Sequence, residues 1–403
     1  MLEIEFSIIE DDPGQKARIV TQLLEEFQEQ HQIQVRIRGL TWDEAWPELF
    51  TYTMVGKGPD VSQVGSTWVS NLVAMNALRP FTPGEVASMG GADAFIKPDW
   101  QSAVVQEDTN VWAIPWYSYL YVLCYRRDLL ARAGVNEQNA FINAATLADT
   151  VNRLRAAGVE VPLALPSALE FTDLLHIAAG WVWDAGGAIV SDDGRQILFS
   201  QPEAMAGLRA FFELYRSMPP SASELTSDQS LDLFYQGRAA AIITGANSVQ
   251  QLVKSQAPLE VREQIGAAIP SRIPWFGGEN LAIWRHTQAY PQREQAAVAL
   301  VNYLSGHNAQ VLHTKLDSTL PTRLDALPDL TLMPESLAQT FERAVKTGKA
   351  YPPVALWRRI EFQVGQELVQ ILKEVQADTS LGIAPILQSH LDPLARRLDM
   401  MLK

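Results

Sequence analysis

Apolar positions recur with two periods along this chain. Ile4, Phe6, Ile8 and Ile9 form an apolar strand, and Ile33, Val35 and Ile37 alternate with Gln34, Arg36 and Arg38 as a half-buried one. Between them Ile19, Val20, Leu23, Leu24 and Phe27 fall on one helical face. Asp12 before Pro13 predicts the N-cap of that helix. Thr41-Trp-Asp-Glu44 reads as a capping box that opens a second helix. A turn over 56–61 feeds a short strand to Val64, and Ser66 is placed to cap a helix carrying Val69, Leu72 and Val73. This β-α-β-α-β-α order predicts a parallel sheet with helices on both faces.

The same periods continue. Asp128 to Gly134 reads as a helix with a C-cap glycine, 146–157 as another helix, and Leu163 to Leu165 as a short strand. Asp192-Asp-Gly194 is a hairpin turn, Pro202 opens a helix with Leu208, Phe211, Phe212 and Tyr215 inward, and 217–227 is a surface loop. Phe234 to Ile243 reads as helix, glycine stop and strand, and Gln264 to Pro270 as another strand. Trp275 to Glu279 reads as a loop before a strand over Asn280 to Trp284. A helix is expected over 292–304, and Thr319 to Arg323 is a Pro-marked crossing. Trp357, Ile360, Val364, Leu368 and Ile371 share one helical face in the C-terminal region.

Polar groups collect where the first three strands end. These ends are Glu10-Asp11-Asp12, Leu40-Thr41-Trp42-Asp43 and Gly65-Ser66-Thr67-Trp68. Ligands of parallel sheets bind outside the carboxyl ends of their strands. Asp12, Thr41 and Ser66 are read first as helix caps, but a cap needs no indole, so Trp42 and Trp68 call for another role. The stretch Asn110 to Leu130 adds Trp112, Trp116, Tyr117, Tyr119, Tyr121 and Tyr125. Each ring hydroxyl or indole N–H wants a polar partner when buried. Pro115 is expected to divide the stretch into two strands, with Trp116 and Tyr117 on the floor of a ligand cleft between lobes.

Composition narrows the function. A chain of 403 residues is long for one core, so two lobes are expected. A net charge of −14 with no basic run argues against nucleic acid or an anionic membrane as the main partner. No apolar run approaches the roughly 20 residues of a membrane span. The start, Met1 to Ile9, reads as a strand without a leader pattern, which fits a cytosolic chain or a mature form. The single cysteine, Cys124, sits in an apolar strand and reads as a packed thiol.

Catalytic spacings are missing. There is no His-Glu-x-x-His, Gly-x-Ser-x-Gly, P-loop or Gly-x-Gly-x-x-Gly, and the six histidines are scattered. No catalytic residue, metal ligand or cofactor is therefore assigned. What remains is aromatic enrichment at strand ends. Indole and phenol rings cover the C–H face of a pyranose while carboxylates and amides pair its hydroxyls, inside a mostly apolar cleft.

Several motifs then coincide: Gly58-Pro-Asp-Val61, Ala77-Leu-Arg-Pro-Phe81, Val111-Trp-Ala-Ile-Pro115, Leu120 to Gly134, Phe234 to Ala240, Gly277-Gly278 before a strand, and Leu320-Pro-Thr-Arg323. In this order the chain resembles the extracellular solute-binding proteins of carbohydrate ABC importers, the family that includes maltose- and trehalose-binding proteins. The resemblance implies a two-lobed α/β fold of the type II periplasmic-binding-protein kind, each lobe a mostly parallel sheet flanked by helices. It implies crossings near 112–116, 266–270 and 316–321. The N-terminal lobe would be 1–112 with 270–316, and the C-terminal lobe 113–269 with 317–403.

It further implies an interlobe ligand site, hinge closure on binding, and contacts from Glu10, Asp11, Trp42, Asp43, Ser66, Trp68, Trp116, Tyr117, Trp181, Asn247, Gly278, Glu279 and Arg323. Of these, Trp42, Trp68, Trp116 and Trp181 are the expected stacking platforms. Asp11, Asp43, Glu279 and Arg323 are the expected hydroxyl partners. The resemblance implies a periplasmic or cell-surface monomer, its leader removed, that hands a neutral sugar or oligosaccharide to membrane permease subunits. A sensor domain of the same fold and a glycan-acting enzyme are the alternative readings. A thermal-shift screen is expected to return an uncharged saccharide as the stabilising ligand, because a ligand bound only by the folded state raises apparent stability. The Trp116→Ala variant is expected to lose that shift.

Overall fold

Eight strands are formed: β1 (Leu2–Ile9), β2 (Ile33–Leu40), β3 (Val61–Gly65), β4 (Ile114–Arg126), β5 (Ala241–Gly245), β6 (Ile265–Ala268), β7 (Phe276–Ile283) and β8 (Leu320–Pro321). They come from a computed structural model that describes residues 2–10, 14–105, 108–167, 171–216, 218, 225–251, 258–332, 335–378 and 380–402. The expected Asp12–Pro13 cap, Asp11 and most of the 217–227 loop lie outside the described residues. The chain divides into two compact units. One is Met1–Tyr119 with Phe276–Leu332 and Ala350–Arg358; the other is Leu120–Trp275 with Met333–Lys349 and Arg359–Lys403. The chain thus passes between units after Tyr119, Trp275 and Leu332, the first two a few residues and the third well beyond the expected crossing, and the first unit takes back a further short segment at 350–358.

In the first unit the strand order is β2-β1-β3-β7-β4. β1 is parallel to β2 from Leu2↔Ile33 to Ile9↔Leu40, and parallel to β3 at Phe6↔Val61. β7 is antiparallel to β3, with Gly65 opposite Glu279. The parallel expectation therefore holds for the first three strands, and a strand that re-enters the sheet from the other end supplies the fourth. β7 also includes Phe276 to Glu279, expected as loop. One core cluster holds Phe6, Ile8, Val20, Phe27, Ile283 and Leu300, and a second holds Leu49, Val64, Trp68, Leu72 and Trp284. Buried charges are paired. Arg293 donates twice to Asp60, at 2.8 and 2.6 Å, and Arg79 is held by Glu85 and Glu294.

Capping follows the sequence only in part. The Glu44 carboxylate accepts from the Thr41 backbone N–H at 3.1 Å and its hydroxyl at 3.0 Å, opening the helix Trp42–Val55. Those bonds, the backbone one first, lower the pKa of Glu44. Ser66 does not cap. Residues 66–68 form a turn closed by Trp68 N–H to the Gly65 carbonyl, and the helix Val69–Ala74 begins after Trp68 without a side-chain cap. The helix Gln15–Leu23 follows Gly14 in the left-handed region at φ 79°.

Pro115 does not split its strand. β4 runs unbroken for 13 residues, because a proline at its second position withholds only one donor. What changes along β4 is its partner. Tyr117 and Ser118 pair with β8, while Tyr121 to Arg126 pair antiparallel with β5 and β6 in the second unit. The named strand pairs of that unit are antiparallel, and the segment expected as a strand at 163–165 makes isolated parallel bridges to β5 and its approach. Helices dominate the unit. The helix Phe171–Asp184 packs on Pro202–Arg216, where a Cβ at Gly207 would lie 2.3 Å from the Trp181 carbonyl. The expected face Ile360, Val364, Leu368 and Ile371 of the helix Trp357–Ala377 is buried.

Within the first unit, the short helix Lys97–Ser102 buries Asp99 against Ser118 of β4. Ser118 Oγ lies between the Asp99 carboxyl and the Pro321 carbonyl, 3.3 Å away. The Ser118 hydroxyl donates to the Asp99 carboxyl. Burial pushes the Asp99 pKa up to about 8, against the lowering effect of Ser118. Below the unfolded pKa both states are protonated and the contribution to stability is complete. As pH rises toward 8 only the unfolded chain ionises, and stability is lost. Asp99→Asn cannot ionise and removes this loss. It should raise stability by on the order of 2 kcal/mol at pH 8 and by little at pH 4. Denaturant titrations of both proteins across that range measure it, and equal pH profiles would rule it out.

Candidate functional site

The register of β2, β1, β3 and β7 sets the candidate site of the first unit. β1 is in parallel register with its two neighbours, so Glu10, Thr41 and Gly65 leave their strands on one edge. Antiparallel β7 enters at that edge with Gly278 and Glu279, and the Ser66 N–H donates to the Gly278 carbonyl at 2.9 Å. Polar residues far apart in sequence thus lie along one strand-end surface. Each has a separate reason to be there.

Glu10 is buried and partly committed. Its Oε2 accepts the Ala17 N–H at 3.2 Å, which caps the first helix, and Gly39 leaves room for the carboxylate where a Cβ would sit 2.0 Å from Oε1. Trp42 opens the helix Trp42–Val55 and keeps 39% of its surface exposed. Trp68 is buried and meets the edges of both Trp42 and Trp46, with ring centroids 5.8 and 5.6 Å apart. The three indoles form one cluster, with Trp68 as its base and Trp42 at its margin. Asp43 is exposed in the first helical turn beside Trp42. Ser66 is half-buried in the turn between the strand and the indoles.

Tyr117 lies on β4 beside this edge. Its hydroxyl accepts from Lys16 Nζ at 2.6 Å and from Gln63 Nε2 at 2.9 Å, and the Gln63 side-chain oxygen accepts the Ile9 N–H. The Lys16 ammonium stands 4.6 Å from the Tyr117 ring centroid. Lys16, Gln63 and Trp46 were not among the candidates read from sequence. Lys16 was legible as a cation in the first turn after a strand; nothing in the pattern marked Gln63.

Other candidates are placed elsewhere. Trp116 is 1% exposed and belongs to the core with Phe6 and Leu281. Its ring stacks on buried His313 at 4.9 Å, and its indole N–H has no partner among the described residues. Burial, the largest influence, lowers the His313 pKa and keeps that imidazole neutral. Trp116 is thus packed as a core ring. Trp181, in the second unit, is likewise buried, against Phe211 at 5.2 Å. Arg323 is engaged as well. Its guanidinium is bidentate to Asp325 at 2.8 and 2.7 Å and donates to the Met89 carbonyl at 3.0 Å, which makes it a clamp on the following 3-10 segment. Asn247 stands just past the end of β5 in the second unit, half-buried, and its side-chain oxygen has no hydrogen-bond partner. Asp11 lies outside the described residues.

Among the described residues no group of three or more His, Cys, Asp or Glu is placed to hold a metal ion. No helix is long and apolar enough to cross a membrane among the described residues. Cys124 is buried, and burial pushes its thiol far up, so it is inert.

Comparison with known proteins gives the family and the fold. The model of the bacterial extracellular solute-binding protein family matches residues 13–311, and the chain belongs to that family. A probable ABC transporter-binding protein of Deinococcus radiodurans is 25% identical over 273 residues, which are 63% of this chain and just under two thirds, 64%, of that relative. Among solved structures, the sugar-binding protein MalE of Xanthomonas citri superposes with TM-score 0.81 at 24% identity, covering 99% of this chain and 97% of that one. An ABC transporter solute-binding protein of Thermotoga lettingae, bound with α-D-tagatose, gives 0.79 at 19%, with both chains fully covered. The fold is therefore the two-lobed one of periplasmic binding proteins.

Gly278 is the site residue whose identity the backbone dictates. It has φ 140°, and a Cβ there would lie 2.2 Å from the Tyr117 carbonyl oxygen. Gly278→Ala is expected to cost about 2–4 kcal/mol through forced backbone strain and overpacking. Chemical denaturation measures it, and a loss below about 0.5 kcal/mol, the level of a neutral surface change, would show that the two strands can separate freely there.

Proposed function

We propose that the protein captures a neutral sugar or oligosaccharide and delivers it, chemically unchanged, to the permease of an ABC importer. The observation that carries this is the indole cluster at the carboxyl ends of β2 and β3, where Trp42, 39% exposed, and Trp46 both meet buried Trp68. An aromatic face bordered by carboxylates suits a ring with an apolar C–H side and a rim of hydroxyls. Asp43, Ser66, Glu10, Glu279 and the Tyr117 hydroxyl supply the polar rim on the first unit. Trp116, Trp181 and Arg323 are left out of the contact set, since packing or ion pairing already engages them. The sugar-binding description of the Xanthomonas protein and the tagatose bound in the Thermotoga structure support the ligand class. The family description supports an extracellular or periplasmic setting. We further propose a cell-surface monomer, exported with a leader that is removed, and without enzymatic activity.

Isothermal titration with a panel of mono- and oligosaccharides tests the reading. At least one uncharged saccharide should bind, with no release of reducing sugar on prolonged incubation. Trp42→Ala should weaken that binding tenfold or more, about 1.4 kcal/mol. Because Trp42 is partly exposed, its removal should leave the melting temperature within a few degrees of wild type. Trp116→Ala is no longer a clean probe, because deleting a fully packed indole costs about 3–5 kcal/mol of stability by itself. An intact Trp42→Ala protein that titrates like wild type would remove Trp42 from the site. Failure of every neutral saccharide would remove the ligand class.

A further inference from the structure

Within the second unit, β6 and the helices Glu137–Ala140 and Glu335–Thr347 border an open groove of about 880 Å³. The helix Glu335–Thr347 turns Ser336, Gln339, Arg343 and Lys346 toward it. Those positions recur at intervals of three and four residues, so they form one continuous face, while Leu337, Phe341 and Ala344 are buried on another. Arg127, Arg262 and Arg272 line the groove as well. Its charged lining comprises five cations against two carboxylates, Glu137 and Glu335, in a chain whose net charge is −14.

The charges are not equally satisfied. Arg127 is paired with Glu137 at 3.0 Å, and the Arg272 backbone N–H donates to Asp184 at 2.7 Å with its guanidinium 3.9 Å from the same carboxylate. The Glu335 carboxylate accepts from Gln339 at 3.0 Å. Arg343 donates only to the Thr340 hydroxyl, at 3.3 Å, and among the described residues neither Arg343 nor Lys346 has a carboxylate within ion-pair distance. At the first turn of the same helix the buried Ser336 hydroxyl oxygen has no partner among the described residues. Cations without counter-ions and a hydroxyl without a bond thus share one wall of a single groove. From Ser336 to Arg343 the helix rises roughly 10 Å, more than one small anion bridges.

We propose that this groove binds a soluble small molecule carrying two or more phosphate groups, held by Arg343 and Lys346 at one end and by the Ser336–Gln339 turn at the other. Arginine and lysine are the side chains that pair phosphate oxygens most strongly, and a groove of this volume takes a ligand of that size. The inference does not depend on the sugar reading, which uses other residues.

Calorimetric titration of the full chain with sodium tripolyphosphate at low salt tests it. Saturable binding is expected, weakened about tenfold or more in the Arg343→Ser, Lys346→Ser double variant and by added salt. Lys57→Ser, an exposed cation of the first unit, should bind like wild type. The double variant should keep its fold by circular dichroism and its saccharide affinity. Equal affinity in the double variant and wild type, or no saturation, would overturn the proposal. So would binding to phosphatidylglycerol vesicles without binding to tripolyphosphate.

Discussion

The geometry of the first unit depends on one constraint: parallel hydrogen-bonded strands must release their chains at the same edge. β1, β2 and β3 obey it, and Glu10, Thr41 and Gly65 leave the sheet together. Antiparallel β7 then brings Gly278 and Glu279 to that edge from the opposite direction. No side chain chooses this meeting place. The backbone ladder does. Loss of register by one residue would turn each strand-end residue to the other face of the sheet.

Close packing of strand against strand limits which residues the edge accepts. Gly278 lets the Tyr117 carbonyl approach, and Gly39 leaves room for the Glu10 carboxylate. Two of the charged groups drawn inside are paired. Asp60 is matched by Arg293 and by the Glu5 N–H, and Arg79 by two glutamates. Such pairs are held by position more than by net strength, because desolvation offsets much of their attraction. Asp99 is the exception in kind. With no cation beside it, it stays protonated and joins the helix Lys97–Ser102 to β4 and β8 through Ser118.

Much of this was legible beforehand, for reasons that can be named. The alternation of Ile33, Val35 and Ile37 gave β2 because a half-buried strand needs a two-residue period. The Thr41–Glu44 box gave the start of its helix because the capping bonds are local. The spacing of Ile360, Val364, Leu368 and Ile371 gave the buried face of a long helix. Errors fell where local signals compete with distant packing. Pro115 reads as a break, yet the second position of a strand tolerates it, and its carbonyl still accepts the Thr322 hydroxyl. Phe276 to Glu279 reads as loop through its two glycines, yet it extends β7, which lies between β3 and β4 in the sheet. Ser66 reads as a cap, yet the chain turns once more before the helix begins.

For the candidate site the division is sharper. The amino-acid sequence by itself determined that indoles and carboxylates stand at the ends of parallel strands, because strand, turn and helix signals are short-range and the order of elements dictates a parallel sheet. Only the tertiary structure decided which indoles keep a free face. Trp42 and Trp116 look alike in a string of residues; one opens a helix at the margin of its unit, and the other points into the core between Phe6 and His313. That difference arises from residues 100 and more positions apart in the chain, whose packing no local pattern records.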